Sequence, residues 1–436
     1  MNYLTHQTNF GKEFDHKILE LKKLIQNIYQ VKNEIPISES EPIRLHSSTL
    51  DSSSSFACIN AILENRITMG ATVKAYENLY SEYLGKTHKV LSCNSGSSAN
   101  LLAISALFQS GKLKTGDKVI VPALSWSTTV FPLVQYGLIP VFCDCNDIDF
   151  NISNKNFERL IEIHKPKALM LIHTYGCPAD MDAITDLCSK NSLLLIEDTC
   201  ESMGSDWDNK KTGTFGDAST FSSYYSHHIC TLEGGFTCFK NNDDYEVAES
   251  IRSHGWIRHL DKNNKIFYEN PDLDPSFIFN YIGYNIRLSE PQAAIGLEQL
   301  KQLEDFVRRR KIAAARFISF FENYQDIFQY IKPLEKANSS WFGFPLVLNG
   351  KLRGKRNELR KLLIENNIES RPFLAGDFTL QPVVKSFKHF KDSSLTVSSS
   401  IATDGMAIPC HQDINEENIS KITSVVDKFI KNKILT

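Results

Sequence analysis

The 436-residue chain has no run of eighteen uninterrupted apolar residues, so no helical membrane span is expected. Its opening, MNYLTHQTNFGKEFD, lacks a basic start followed by an apolar run, which argues against a secretory leader. An excess of either charge is also missing. With 48 Lys and Arg against 51 Asp and Glu, the formal net charge is −3, and nucleic acid finds no basic footprint. An anionic small molecule remains compatible, because local donors suffice to bind one. The ten cysteines form no C-x-x-C, and none lies between Cys238 and Cys410. This pattern reads as reduced thiols in a cytoplasm rather than a disulfide framework. Cys143 and Cys145 stand as C-x-C on an expected strand without further ligands nearby, so they read as buried thiols and no metal site is assigned. No internal repeat is visible, and DSSSSF (51–56) is the one low-complexity patch.

What is present is an ordinary globular composition, 42% apolar and 23% charged, long enough for two or three domains. Phe14, Ile18, Leu21, Ile25 and Ile28 mark an amphipathic helix over 12–31. The break EIPISESEPI follows it, so 1–45 reads as an appended arm that packs on this chain or on a second subunit. Beyond residue 70 come short apolar runs rich in β-branched residues: KVIVPAL (118–124), IPVFCDC (139–145), ALMLIHTYG (168–176) and LLLIED (193–198). Helical stretches such as 98–110 and 181–191 alternate with them. That alternation predicts an α/β fold with a mostly parallel sheet covered on both faces. Ligands of such sheets sit at the carboxyl ends of the strands. Residues 293–323 read as one long helix leading to a smaller C-terminal α/β domain.

Five stretches place polar residues at those strand ends. SCNSGSSANLL (92–102) leads from a strand into a helix, where backbone N–H groups make an anion cradle at Gly96 and Ser97. In LIEDTCESMGS (195–205), Asp198 stands where the strand runs out, either capping the next helix or facing a ligand cation. In PALSWSTTVFP (122–132), Trp126 is either core or a platform for a planar ligand. SSYYSHHICTLEGG (222–235) carries His227 and His228; on an extended strand they would face opposite ways and could not share a metal. GYNIRLSEPQAAIGLEQL (283–300) places Asn285 and Arg287 before a helix.

Taken one at a time these signals are modest, but their order and spacing resemble the sugar aminotransferase family, pyridoxal-phosphate enzymes of fold type I. The resemblance spans about residues 46–430. It implies a large domain (46–295) with a mixed, mostly parallel seven-stranded sheet, and a small domain (296–436). It implies that Gly96, Ser97 and Ser222 meet the cofactor phosphate, with Asn285 supplied by a partner subunit of a homodimer. Trp126 would lie against the ring, Asp198 would hold the pyridine nitrogen protonated, and Glu201 would border the cofactor. Where that family has its cofactor-binding lysine, five residues after Ser222, this sequence has His227, and no lysine lies between Lys211 and Lys240.

The wording around His227, with IRSHGWIRHL (251–260) and SSWFGFPL (339–346), is similar to the branch that dehydrates GDP-4-keto-6-deoxy-mannose at C3. A related CDP-sugar branch carries an iron–sulfur cluster, whose cysteines are missing here. The resemblance implies pyridoxal or pyridoxamine 5′-phosphate held without a covalent bond, L-glutamate as amino donor, and His227 as the acid–base group. A histidine suits that role because its ordinary pKa lies near neutrality. His254, Arg258 and Arg287 are candidates for the substrate, with Arg258 meeting the donor's carboxylate or the substrate's phosphates, and His228 is read as structural. RPFLAGDF (371–378) departs from the family's usual Gly-Asn pair at Asp377, a candidate substrate residue: if this loop borders the sugar, the carboxylate adds an acceptor and points to a sugar other than the hexose, such as a heptose, and otherwise the change is a neutral one at the rim. The alternatives are an aminotransferase working without its lysine, a CDP-sugar dehydratase, and a silent binding protein of the same fold.

Overall fold

The computed structural model describes residues 11–35, 41–260 and 269–434. The first ten residues and 36–40 of the extended break lie outside the described residues. Among the described residues no helix is long and apolar enough to cross a membrane.

Seven strands of five residues build the large sheet: β1 (Lys89–Cys93), β2 (Lys118–Pro122), β3 (Ile139–Cys143), β4 (Ala168–Ile172), β5 (Leu194–Asp198), β6 (Ala218–Ser222) and β7 (Gly235–Phe239). The spatial order is β1-β7-β6-β5-β4-β2-β3. β7 runs antiparallel to both neighbours, and the pairs from β6 to β3 are parallel. An eighth strand, Phe390–Lys391, pairs in parallel with β3, one more than the seven expected. It comes from far along the chain and ties the C-terminal part to the sheet edge.

Both faces of the sheet are covered, which is why its strands read as unbroken apolar runs. Along β2, Val119 and Val121 enter one core layer with Leu102 and Ala106 of α4 (Gly96–Gln109) and Leu133 of α5 (Ser127–Gln135). Ile120, pointing the other way, meets Phe157 of α6 (Asn154–His164) and Ile184 of α7 (Met181–Lys190). This layered packing positions the carboxyl ends of β2, β4, β5 and β6 on one rim.

The N-terminal helix, α1 (Lys12–Glu34), packs on α2 (Ser52–Leu63) of the same chain. Ile25 is buried, and Tyr29 Oη lies 2.7 Å from Ser55 Oγ. The expected stripe holds from Phe14 to Ile25 but not at Ile28, which is exposed. At 3.6 residues per turn the packed face passes to Tyr29 instead.

The single long helix expected over 293–323 is two helices, α9 (Glu290–Leu300) and α10 (Leu303–Phe321), after α8 (Asn242–Arg252). A capping box between Ser289 and Gln292 starts α9. At the break the Gln302 amide bonds to Gln299 O at 3.0 Å, one residue tighter than an α-turn. Gln299 Nε2 donates to Thr49 O at 2.8 Å, and Gln302 Nε2 to Asp51 Oδ2 at 3.0 Å. The turn lets Leu300 and Leu303 enter the same core beneath α3 (Ala71–Tyr83).

The smaller sheet has the order Phe328–Tyr330, Phe344–Leu348, Gly405–Ile408, Arg371–Pro372, all antiparallel. With α10 and the C-terminal helix Glu416–Ile434 it encloses a second core. All ten cysteines are free, and Cys143 and Cys145 are buried thiols.

Candidate active site

Three strand ends and one helix start converge. The helix α4 begins at Gly96, with Ser95 as N-cap accepting from the Ser98 amide at 3.0 Å. A Cβ on Gly96 would stand 2.7 Å from Ser222 Cβ and 3.0 Å from Cys200 Sγ, so only glycine lets α4 approach the end of β6. The Ser222 hydroxyl accepts from the Tyr224 amide at 3.2 Å, and Ser97 is exposed in the first helical turn. A helix N-terminus beside a serine hydroxyl is an anion cradle of phosphate size.

Beside the cradle, Asp198 is buried at the end of β5. Its Oδ2 accepts from Asn100 Nδ2 at 2.9 Å and Thr129 Oγ1 at 2.8 Å, and its Oδ1 from the Cys200 amide at 3.2 Å. All three donors are neutral, so the carboxylate has hydrogen bonds and no cation of its own. Asn100 lies one helical turn after Gly96 and Thr129 three residues after Trp126, and the sequence pattern marks neither as a site residue. The neighbouring Glu197 points to the opposite face, where it accepts from the amides of Gly213, Phe215 and Gly216 at 2.8 Å each. Trp126, the N-cap of α5, is 54% exposed and presents its ring at the same rim.

His227 lies in a turn, not on a strand, and its amide bonds to Tyr224 O at 2.9 Å. The two histidines are still separated. His228 is buried, with Nε2 3.2 Å from Ser340 O, while the His227 ring packs 4.9 Å from the Phe342 ring. His227 Nδ1 is buried without a hydrogen-bond partner. Burial, then the charges of Arg371 and Arg310, pull its pKa down to about 3, so the imidazole is neutral at physiological pH and a weaker base than a free histidine. Arg310 is itself buried and donates to the carbonyls of Trp341, Phe342 and Cys410 at 3.1, 3.4 and 3.3 Å, fixing the loop that carries Phe342.

Glu201 accepts from the Tyr175 amide at 3.1 Å, and burial pushes its carboxyl up to about 7 against the opposing pull of Arg371. The Arg371 guanidinium lies 5.6 Å from the Tyr175 ring centroid and 5.4 Å from that of Phe342. Tyr175, Phe342 and Arg371 come from three segments nearly 200 residues apart in the extreme, and no local pattern marks them as neighbours.

The other expected residues form a second group. The 253–258 turn is bonded to 278–285 through His254 N to Tyr284 O at 2.7 Å and a Ser253–Asn285 bridge. Asn285 is exposed, with Oδ1 accepting from Arg287 Nε at 3.0 Å. Arg258 is exposed and stacks 4.1 Å over Trp256. This lobe joins the cradle at its base, where the Asn94 amide bonds to Ile286 O at 2.9 Å. Asp377 lies against the loop between β2 and Trp126, bridged to Leu124, with Phe378 N bonded to Ala123 O at 2.8 Å. It is buried and accepts from Thr379 N at 3.0 Å, Thr379 Oγ1 at 2.7 Å and Ser399 Oγ at 3.0 Å. Its carboxylate caps the turn at Phe378–Leu380.

An aromatic platform, an anion cradle and a buried carboxylate on one rim of this α/β sheet define a pyridoxal-phosphate-dependent enzyme of fold type I. The chain belongs to the DegT/DnrJ/EryC1/StrS aminotransferase family, whose profile matches residues 50–427. It is similar to the GDP-4-keto-6-deoxy-D-mannose 3-dehydratase of Yersinia pseudotuberculosis, 41% identical over 392 residues, 88% of this chain and 98% of that protein. Among solved structures it resembles E. coli GDP-4-keto-6-deoxy-D-mannose-3-dehydratase with bound hydrated PLP. The TM-score is 0.82 at 34% identity, covering 88% of this chain and 98% of that one. A GDP-4-keto-6-deoxymannose-3-dehydratase with a trapped PLP-glutamate geminal diamine matches equally, at TM-score 0.82 and 34% identity over 88% of this chain and 99% of that one. The chain uses pyridoxal and pyridoxamine phosphate, and the Gly96 cradle and cation-free Asp198 fit that group.

Proposed function

We propose that the chain removes the C3 hydroxyl of a GDP-linked 4-keto-6-deoxy sugar, with L-glutamate as amino donor. The observation that carries this reading is His227 itself, a neutral imidazole with an unpartnered ring nitrogen where relatives bind the cofactor through lysine. The bound coenzyme supplies an electron sink for the bond changes at the sugar. Gly96, Ser97 and Ser222 would bind its phosphate, Trp126 would lie against its ring, and Asp198 would hold the ring nitrogen protonated. With His227 at the lysine's position, these non-covalent contacts supply the affinity. His227 would serve as the acid–base group, taking up a proton at its unpartnered ring nitrogen and delivering one to the departing C3 oxygen. Positioned acid–base groups of this kind contribute about 10² to 10⁴ in rate. Phe342 and Tyr224 flank the imidazole and restrict its rotation.

The exposed lobe bearing His254, Arg258, Asn285 and Arg287 completes the site of a second copy in a homodimer. There Asn285 reaches the cofactor phosphate and the arginines face the nucleotide's phosphates. The helical arm (1–45) stands outside the cofactor domain (46–295) and the small domain (296–436). Ten free thiols support a cytoplasmic setting. A panel of GDP- and CDP-linked 4-keto-6-deoxy hexoses and heptoses, read by mass spectrometry, tests the reading. Turnover of the GDP-linked sugars alone supports it, and turnover of the CDP-linked ones alone contradicts it.

A further inference from the structure

A small cavity of about 20 Å³ opens between the N-terminal strap and the small sheet, lined by Leu45, His46, Tyr175, Phe342, Arg371 and Ile408 among others. It has room for about one water-sized group, so it seats the end of a ligand and not the whole of one. Arg371 is its one permanent cation, held against two aromatic faces. Stacking of this kind orients a guanidinium and leaves its edge to a planar anion, as in bidentate carboxylate recognition. Glu201, the carboxylate that acts on Arg371, is pushed up to about 7 by burial and so is half protonated near neutrality. The Arg371 charge is therefore incompletely compensated within the chain.

The opposite wall is built with equal care. Residues 43–45 run beside 367–369, with Ile43 N to Asn367 O at 2.8 Å, Glu369 N to Ile43 O at 2.9 Å, and Leu45 N to Glu369 Oε2 at 3.0 Å. The strap is thereby bonded to the segment that leads into Arg371. It delivers His46 to the cavity, where the ring meets Tyr225 edge-on at 5.0 Å, two residues before His227. His46 lies just before the part of the chain that the family profile matches.

We propose that Arg371 and His46 together form the docking site for a carboxylate of the amino donor. This rests on the reading that an amino acid recharges the cofactor. Size favours a carboxylate over the nucleotide's diphosphate: the cavity is small, its wall is polar and apolar in about equal parts, and it offers one guanidinium, one imidazole and Ser226. The subsite shares Phe342 with the His227 ring, 4.9 Å away, and the Arg371 charge acts on His227, so a donor anchored there lies beside the acid–base group.

The test titrates the pyridoxal-phosphate-loaded enzyme with glutarate, a dicarboxylate without an amino group, and separately with GDP. Heat and cofactor absorbance report binding without turnover. In R371Q, glutarate binding falls at least ten-fold, R371K restores part of it, and H46N weakens it a few-fold, while GDP binding stays unchanged throughout. Thermal melting of each variant confirms folding, and H46N reads the subsite independently if R371Q is unstable. Unchanged glutarate binding in R371Q and H46N overturns the assignment, as does parallel loss of GDP binding, which would give Arg371 to the diphosphate. Because glutarate binding needs no turnover, failure here is distinct from failure of the dehydratase reading.

Discussion

The Phe342 ring packs 4.9 Å from the His227 imidazole and leaves its Nδ1 buried without a partner. A buried ring nitrogen with no partner in the protein is open to a hydrogen bond from a bound ligand. Replacing His227 by Asn keeps the size and removes the basicity. The H227N enzyme is expected to lose at least about 10²-fold in kcat for dehydration. Its cofactor affinity, read by absorbance titration, stays within a few-fold of wild type.

Acid weakens the fold through its buried histidines. Burial first, then nearby arginines, holds His227 at about 3 and His411 at about 4, and pulls His228 well below its ordinary value. The unfolded chain takes up these protons near pH 6.5, before the folded chain does. Their stabilisation is therefore complete above about pH 6.5 and is lost as pH falls toward 3 to 4. Glu201 acts in the other sense: raised to about 7, it adds stability at low pH that is lost as pH rises through 7. Three groups outweigh one, so Tm falls from pH 7 to pH 5. A steeper fall in wild type than in H227N over that range assigns part of the effect to His227.

Gly96 marks a close approach. A methyl group there would stand 2.7 Å from Ser222 Cβ, pushing α4 away from β6. Overpacking of this kind costs about 1–3 kcal/mol. Because the displaced groups are the phosphate cradle, Gly96→Ala is expected to lower pyridoxal phosphate affinity at least ten-fold by equilibrium dialysis, beyond its effect on Tm.

Asp377 is expected to matter for stability and not for the sugar. Asp377→Asn turns one acceptor oxygen into a donor that opposes Thr379 or Ser399, a loss of about 1–3 kcal/mol for a buried group. Urea denaturation reads that loss, and KM for the nucleotide sugar is unchanged.

Much of the cofactor cradle is legible in the chain. The strands β2 to β5 announce themselves because both faces are buried, and Gly96, Asp198 and Ser222 stand where those runs and their neighbours end. What cannot be read locally is assembled by tertiary contact. Arg371 meets Tyr175 and Phe342 only after the small sheet folds back, so no spacing links them. Asp377 looks like a binding residue from its motif, yet its partners Thr379 and Ser399 satisfy it internally. The break at Lys301 and Gln302 is set by bonds to Thr49 and Asp51, some 250 residues earlier, which helical periodicity does not register.

The central claim is that His227, standing in for lysine, turns an aminotransferase framework toward loss of water. Single-turnover mass analysis tests it most directly: enzyme, pyridoxal phosphate, L-glutamate and GDP-4-keto-6-deoxy-mannose are mixed, and the sugar product and free ammonia are quantified together. The account predicts a product lacking the C3 hydroxyl, with one ammonia released per sugar. A stable amino sugar that keeps its C3 hydroxyl, with no ammonia released, would contradict it.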